Sequence, residues 1–388
     1  MSTTTDGGAE KMADRVPAEV FPPGEFLRDE LEARGWSQVE FAEIIGRPPR
    51  LINEILAGKR SISPATAREI GAALGTSAIF WLNLEAAYQL YRAPEPVPAR
   101  IAKEAKIRGK FPVREMIRRG WIEGSDSADV LETRLLQFYR IPTLDTTPEF
   151  AHAARKTDYE EQPNPVQTAW LFRVRQIAET LAVTAYSETK LRASLDMLKE
   201  LRSEPEGVRH IPRILSEAGV RFVIVEPMPG SKIDGVCFWL DTGTKPVIGL
   251  SMRFDRIDNL WFVLRHEVEH VLCGHGKDYP IIDSDLGNGA SEVGAPPEEI
   301  VANKAAGEFC VSAVEMDDFV GRVHMMNWET RVVGFAHRIG VHPGIVAGQL
   351  RRRTGRYDFL ARYLVKVRHL IVPNAISDGY GQAFTLSK

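Results

Sequence analysis

The chain has 388 residues, 44% hydrophobic and 26% charged, with a formal charge of −3. That length asks for two or three domains, and the near-balanced charge gives no overall pull toward nucleic acid or anionic membrane, so any basic surface must be local. No apolar run reaches the ~18 residues that span a bilayer, MSTTTDGGAEKMADR at the N-terminus lacks the apolar core of a signal peptide, and Cys237, Cys273 and Cys310 are too scattered for a disulfide framework. A cytoplasmic protein without a membrane partner is expected.

Residues 1–20 are small, polar and Gly-rich, which predicts a disordered leader. Residues 21–92 read as short, well-punctuated helices. Within WSQVEFAEIIGRPPRLINEIL (36–56), Ser37 and Glu40 make an S-x-x-E capping box that starts a helix with Val39, Phe41, Ala42 and Ile45 on its apolar face. Gly46 supplies a left-handed turn, Pro49 suits the first position of the next helix, and Ile52, Ile55 and Leu56 form that helix's buried side. Ser63 caps a third helix opened by Pro64. Two short helices joined by a glycine turn inside a small bundle follow the pattern of helix-turn-helix DNA binding. The acidic residues on the first helices leave a protein-contact module as the other reading.

This stretch resembles the XRE-type helix-turn-helix in its HigA-like antitoxin form. The matching residues are Ser37-Gln38, Phe41-Ala42, Gly46, INEIL at 52–56, Gly58-Lys59-Arg60 and FWLNL at 80–84. The resemblance implies a homodimeric module on double-stranded operator DNA, with Arg47, Arg50, Leu51 and Asn53 facing the major groove and Lys59 and Arg60 touching phosphate. It departs from the family at Pro48-Pro49, where a proline offers no N–H to a phosphate.

APEPVPAR (93–100) carries three prolines in eight residues, and 93–210 as a whole reads as a mainly helical linker region. From Gly219 the period shortens. VRFVIVEP (220–227), GVCFWLD (235–241) and KPVIGLS (245–251) are rich in β-branched and aromatic residues, separated by turn residues, and predict strands. A long apolar helix at about 257–273 follows, then a Gly- and acid-rich loop (278–297), a helix opening near Pro297 and Glu298, more helices, and a tail (376–388).

The long helix contains DNLWFVLRHEVEHVLCGH (258–275). On a helix His266 and His270 lie about 40° apart and can share one ion, while Glu267 stands about 100° from His266, near enough to hold a metal's water without being a ligand. H-E-x-x-H is the arrangement in which zinc lowers the pKa of a bound water and the glutamate takes its proton. Two histidines leave zinc short of the three protein ligands a catalytic site uses. On the next helix Glu299 and Asn303 share a face, so Glu299 is the candidate third ligand and Asn303 a partner that orients a histidine from behind. Glu298 points about 100° away. His275 is less well placed on the helix face than a ligand should be, and lining the cleft is its other role. The competing reading is a helix with two surface histidines. The apolar approach through Leu260, Trp261, Phe262 and Leu264 weighs against it, because burying such groups without partners is costly.

Residues 220–310 resemble the ImmA/IrrE family of zinc metallopeptidases, through GVRFVIVE, the IDG at 233–235, Arg253, Arg256, Asp258-Asn259, the H-E-x-x-H and Glu299 with Ala302-Asn303. The resemblance implies a zincin-like fold, a small sheet packed on an active-site helix. It also implies Zn2+ held by His266, His270 and Glu299, with Glu267 as the base. Members are bacterial and often fused to an XRE module, and some cleave a repressor or antitoxin. Glu269 stands where the family has glycine, about 60° from His266, so it sits near the metal or pairs with Arg265 or another base. Val301 replaces a glutamate, and Phe309-Cys310-Val311-Ser312 replaces an apolar ending.

FAEIIGRPPRLINEIL (41–56) aligns without a gap with FAHRIGVHPGIVAGQL (335–350), which RRRTGR (351–356) follows. This echo is a second DNA-reading unit, or the same packing used to close the metal domain. Gly344, Ala347 and Gly348, where reading side chains should project, favour the second.

The expected architecture is multidomain: a leader (1–20), an all-α helix-turn-helix bundle (21–92), a helical linker (93–210), an α+β zincin-like metallopeptidase domain with a helical C-terminus (211–375) and a tail (376–388). The expected function is a bacterial DNA-binding regulator, antitoxin-like, whose zinc domain acts on a protein substrate, with a toxin as a further partner. One rival is a regulator whose metal domain is a non-catalytic sensor or scaffold. Another is a peptidase whose helical module recruits the substrate.

Overall fold

The computed structural model describes residues 20–93, 97–148, 163–284, 286 and 295–385. The expected leader, up to position 19, and the tail from 386 lie outside the described residues. The chain divides into two units, 1–100 and 101–388. No helix among the described residues is long and apolar enough to cross a membrane.

The first unit contains α1 (Pro23–Arg34), α2 (Gln38–Ile44), α3 (Pro49–Leu56), α4 (Pro64–Leu74) and α5 (Ala78–Arg92). Its local punctuation follows the sequence. The Ser37 hydroxyl accepts from the Glu40 N–H while the Glu40 carboxylate accepts from the Ser37 N–H, closing the capping box. Gly46 turns at φ +66°, Pro49 opens α3, and Ser63 caps α4. Leu27, Phe41, Ile52, Ile70 and Trp81 are fully buried and form the core. Val39, expected on the apolar face, is exposed. Two residues before Phe41, it lies about 200° round the helix from it, so α2 cannot bury both.

The second unit is built on a five-stranded sheet in the order β4–β2–β3–β1–β5. The strands are β1 (Arg221–Val225), β2 (Ile233–Leu240), β3 (Lys245–Leu250), β4 (Ile281–Ser284) and β5 (Ile376–Asp378). β1 runs parallel to β3 and β5, and β2 antiparallel to β3 and β4. Every residue of β1 is buried, and a sheet apolar on both faces needs a cover on each. Val223, Val225, Val236, Phe238 and Val247 pack with α6 (Val97–Lys110), α7 (Val113–Arg118), α8 (Ala128–Tyr139) and α9 (Pro165–Thr180), which carries the buried Trp170. Phe222, Ile224, Ile248 and Leu250 pack on the opposite side with α10 (Glu188–Glu200), α11 (Ile211–Glu217) and α12 (Ile257–Leu272). Beyond α12 lie α13 (Pro297–Cys310), α14 (Ala313–Arg322), α15 (Trp328–Arg338), α16 (Pro343–Thr354) and α17 (Arg368–Ile371).

Two expectations change here. Most of 101–210 is not a linker: α6 to α9 are one cover of the sheet, and α10 belongs to the other. The segment read as a tail carries β5, and its buried Asp378 accepts from Trp121 Nε1 at 2.8 Å and pairs with Arg173 at 2.5 Å. Helical periodicity reveals that a face is apolar but not what it covers, and a three-residue strand is too short to stand out from a tail. The C-terminal echo does repeat the helix-turn-helix punctuation, with Gly340 at φ +70° between α15 and α16. However, Ile345, Val346, Ala347 and Leu350 of α16 are fully buried, and a Cβ on Gly348 would stand 2.4 Å from Asp258 of α12. Arg352 stacks over Phe262 and Arg353 pairs with Asp317. The echo packs against α12, and the side that would read DNA is spent on that packing.

Candidate metal centre and nucleic-acid interface

α12 is apolar around most of its circumference, with Leu260 through Leu264 all buried. It therefore carries its polar motif into the interior, and His266, Glu267 and His270 are 0% exposed. The two histidines turn the same way, as their spacing predicts, and their Nε2 atoms are 2.9 Å apart. Glu299, from the first turn of α13, brings Oε2 to 3.2 Å of His266 Nε2 and Oε1 to 3.4 Å of His270 Nε2.

A fourth group, absent from the sequence reading, joins them. Asp283 Oδ2 lies 3.3 Å from His266 Nε2 and 3.9 Å from His270 Nε2. One donor atom from each of His266, His270, Asp283 and Glu299 falls within 4.8 Å of the others. Asp283 belongs to β4, inside the stretch that reads as a loop. The sequence signal for that strand is the pair Ile281-Ile282, too short to stand out among Gly and Asp.

The donor set suits a divalent cation such as Zn2+, which takes imidazole and carboxylate ligands. Both Glu267 oxygens and Asp283 Oδ2 are buried without a hydrogen-bond partner, a costly state unless a cation or proton shares the space. Burial opposes a charged His266, but the Asp283 and Glu299 carboxylates outweigh it and hold its pKa up to about 9. Burial also raises Glu299, yet contact with both histidines brings it well below the usual carboxylate range. Glu267 is pushed well above that range, first by burial and then by Asp283 and Glu299. A metal entering this set would displace the proton that His266 holds.

Glu267 rests on β2 directly over Gly235. A Cβ on Gly235 would stand 1.9 Å from Glu267 Oε1. Gly235→Ala is expected to push the carboxylate aside and cost about 1–3 kcal/mol by overpacking, while metal affinity falls much less than in a ligand variant. Thermal unfolding and metal titration check both parts, and an unchanged melting temperature would contradict the contact.

The neighbouring candidates are sorted by the same geometry. His275 Nδ1 is 3.0 Å from His270 Nδ1, so it stands behind that ring and fixes its orientation. Glu269 pairs with Arg265 at 2.7 Å and lies outside the donor group. Asn303 does not orient a histidine: its Oδ1 and the His266 Nδ1 are both buried and unpartnered. Sharing a helix face with Glu299 did not bring its oxygen within hydrogen-bonding reach of an imidazole.

In the first unit, α3 turns Ile52, Ile55 and Leu56 inward and leaves Arg50 and Asn53 exposed. Leu51, expected to face a groove, is half-buried against the bundle core. Arg47 donates to Glu69 through Nε and Nη2, at 2.8 and 2.7 Å. Arg50 and Arg60 share Glu54, at 2.9 and 3.1 Å, and Lys59 is exposed.

Residues 27–81 match the helix-turn-helix family. The HTH-type transcriptional regulator YddM of Escherichia coli K12 is 31% identical over 75 residues, covering 19% of this chain and 80% of that protein. A solved HigA-family addiction module antidote protein from Coxiella burnetii is 37% identical, covering 18% of this chain and 77% of that one, with a TM-score of 0.18. A Pseudomonas aeruginosa protein solved in complex with its operator DNA is 36% identical, covering 19% of this chain and 78% of that one, also at a TM-score of 0.18. With its capping box, glycine turn and buried core in place, and with most of a relative's length aligned to it, the chain belongs to the helix-turn-helix family through its first unit.

Proposed function

We propose that this chain is a bacterial DNA-binding transcriptional regulator, antitoxin-like in its first unit, whose second unit is a zinc metallopeptidase-type domain that cleaves a partner repressor or antitoxin. The observation that carries the peptidase half is the convergence of His266, His270 and Glu299 beside a fully buried Glu267. A sheet lying against the helix that bears the motif supports the zincin-like, ImmA/IrrE-type assignment. Zn2+ bound there supplies a Lewis acid and an activated water. Glu267 would accept the proton as general base, His275 orients His270, and the apolar walls of α12 keep bulk water out. The full chain purified under zinc-replete conditions should carry about one zinc per chain, and a chain free of zinc would overturn this half.

Operator DNA is the partner proposed for the first unit, supported by the family match and by the outward Arg50 and Asn53. Arg47, Arg50 and Arg60 are already held in place by glutamates, so phosphate or base contacts replace ion pairs that exist in the free protein. A homodimer fits the exposed stripe of Ile79, Phe80, Leu90 and Tyr91 on α5, whose spacing keeps them on one side of the helix.

Arg50→Ala and Asn53→Ala should each weaken binding to the cognate site by ~1–3 kcal/mol and leave non-specific binding largely intact. Lys59→Ala should weaken all sequences alike and flatten the salt dependence by about one unit of slope. Titration of promoter fragments at several salt concentrations separates the two patterns. If the double change at 50 and 53 leaves specific binding untouched, the module recruits protein instead.

A further inference from the structure

A hydrolytic zinc site uses three protein ligands and keeps a fourth position for water, whereas this site brings together four protein donors. The extra one is Asp283, and its placement is set by the sheet. β4 alternates, with Ile281 and Asp283 buried and Ile282 turned toward the opposite core. The phase is fixed by regular pairing with the partner strand, Cys237–Ile281, Val236–Ile282 and Gly235–Asp283; beyond it the register shifts to Ile233–Ser284, leaving Asp234 as an extra residue. Gly235, opposite Asp283, is the same glycine that lies under Glu267.

The extra residue also pins the end of β4. Asp234 accepts from the Leu286 N–H at 2.8 Å, and the Leu286 carbonyl accepts from Arg352 at 2.5 Å. Three residues past Asp283, the chain is thus held from β2 on one side and from α16 on the other. Asp283 Oδ2 is buried and has no hydrogen-bond partner, yet it faces the same two imidazole nitrogens as Glu299. A carboxylate left in that state is matched by a cation.

We propose that Asp283 is a fourth protein ligand that fills the position needed by water, so that the second unit holds its metal in a closed, latent site until β4 moves. This rests on the zinc reading above. β4 is a four-residue edge strand paired to β2 alone, so moving it breaks that one pairing and the bonds of Leu286 to Asp234 and Arg352. Opening exchanges one ligand: the Asp283 carboxylate leaves, water enters, and His266, His270 and Glu299 stay.

The test uses the full chain loaded with Co(II) alone and azide as a small competing ligand. The wild-type visible spectrum should be that of a closed four-coordinate site and should not respond to azide. Asp283→Ala should give a spectrum that azide shifts, and should bind Zn(II) more weakly by roughly tenfold or more. A wild-type spectrum that azide shifts would overturn the proposal, and this arm decides even if the variant fails to fold. A different result sinks the zinc reading and the proposal with it: wild-type chain that takes up no Co(II), or His270→Ala that takes up as much.

Discussion

Glu267→Gln is expected to keep zinc, keep the fold, keep operator binding and lower peptide cleavage by about 10²- to 10⁴-fold, the usual contribution of a positioned general base. Glu267 is on the same helix as both histidines but is not among the four converging donors. Its carboxylate lies against Gly235, where no side chain competes with it. Glutamine has the same shape, so the contact with β2 survives, and it removes a buried carboxylate that has no hydrogen-bond partner. What it cannot do is accept a proton. Metal content, a melting curve and a promoter titration establish that the rest of the molecule is intact. Cleavage is then compared by following the partner repressor in cells that carry either form. The comparison is repeated in an Asp283→Ala background, where a closed site no longer masks the difference. Equal cleavage by the two forms in that background would remove Glu267 from the chemistry.

His266→Ala or His270→Ala should each abolish tight zinc binding and make stability independent of metal. Their Nε2 atoms are 2.9 Å apart, and each also faces Asp283 and Glu299. Removing either imidazole takes away a ligand and leaves carboxylates facing one another, so some loss of stability is expected from the void and the charge alone. The part specific to metal is the response to a chelator. A ligand present at ~1,000 times its Kd stabilises a folded state by about 4 kcal/mol, so stripping zinc should lower the wild-type melting temperature by several degrees. The same treatment should leave either variant where it was. His275→Ala should behave in between, because it removes the group behind His270 and not a ligand. It is expected to retain zinc with affinity reduced roughly 10- to 100-fold. Either ligand variant purified with a full complement of zinc, and shifted by chelator as wild type is, would exclude the proposed ligand set.

The parts of this protein legible from its sequence are those decided within a turn or two of chain. The Ser37–Glu40 capping box, the left-handed Gly46, Pro49 at the start of α3 and the shared face of His266 and His270 all depend on near neighbours, and all are present. Glu299 was also within reach, since an acidic residue in the first turn of the next helix is a local feature. Three other features were decided only by the tertiary structure. The helices of 101–180 read as part of a linker, but they cover a sheet formed by later residues. The arginines in the last turn of α16 read as a basic run, but Phe262 and Asp317 claim two of them. Asp283 reads as one more acid in a loop, and it reaches the histidines because its pairing with Gly235 of β2 sets which face of a four-residue strand it occupies. Which way a strand residue points depends on its register with a partner distant in sequence, and a shift of one position would turn Asp283 to the other face.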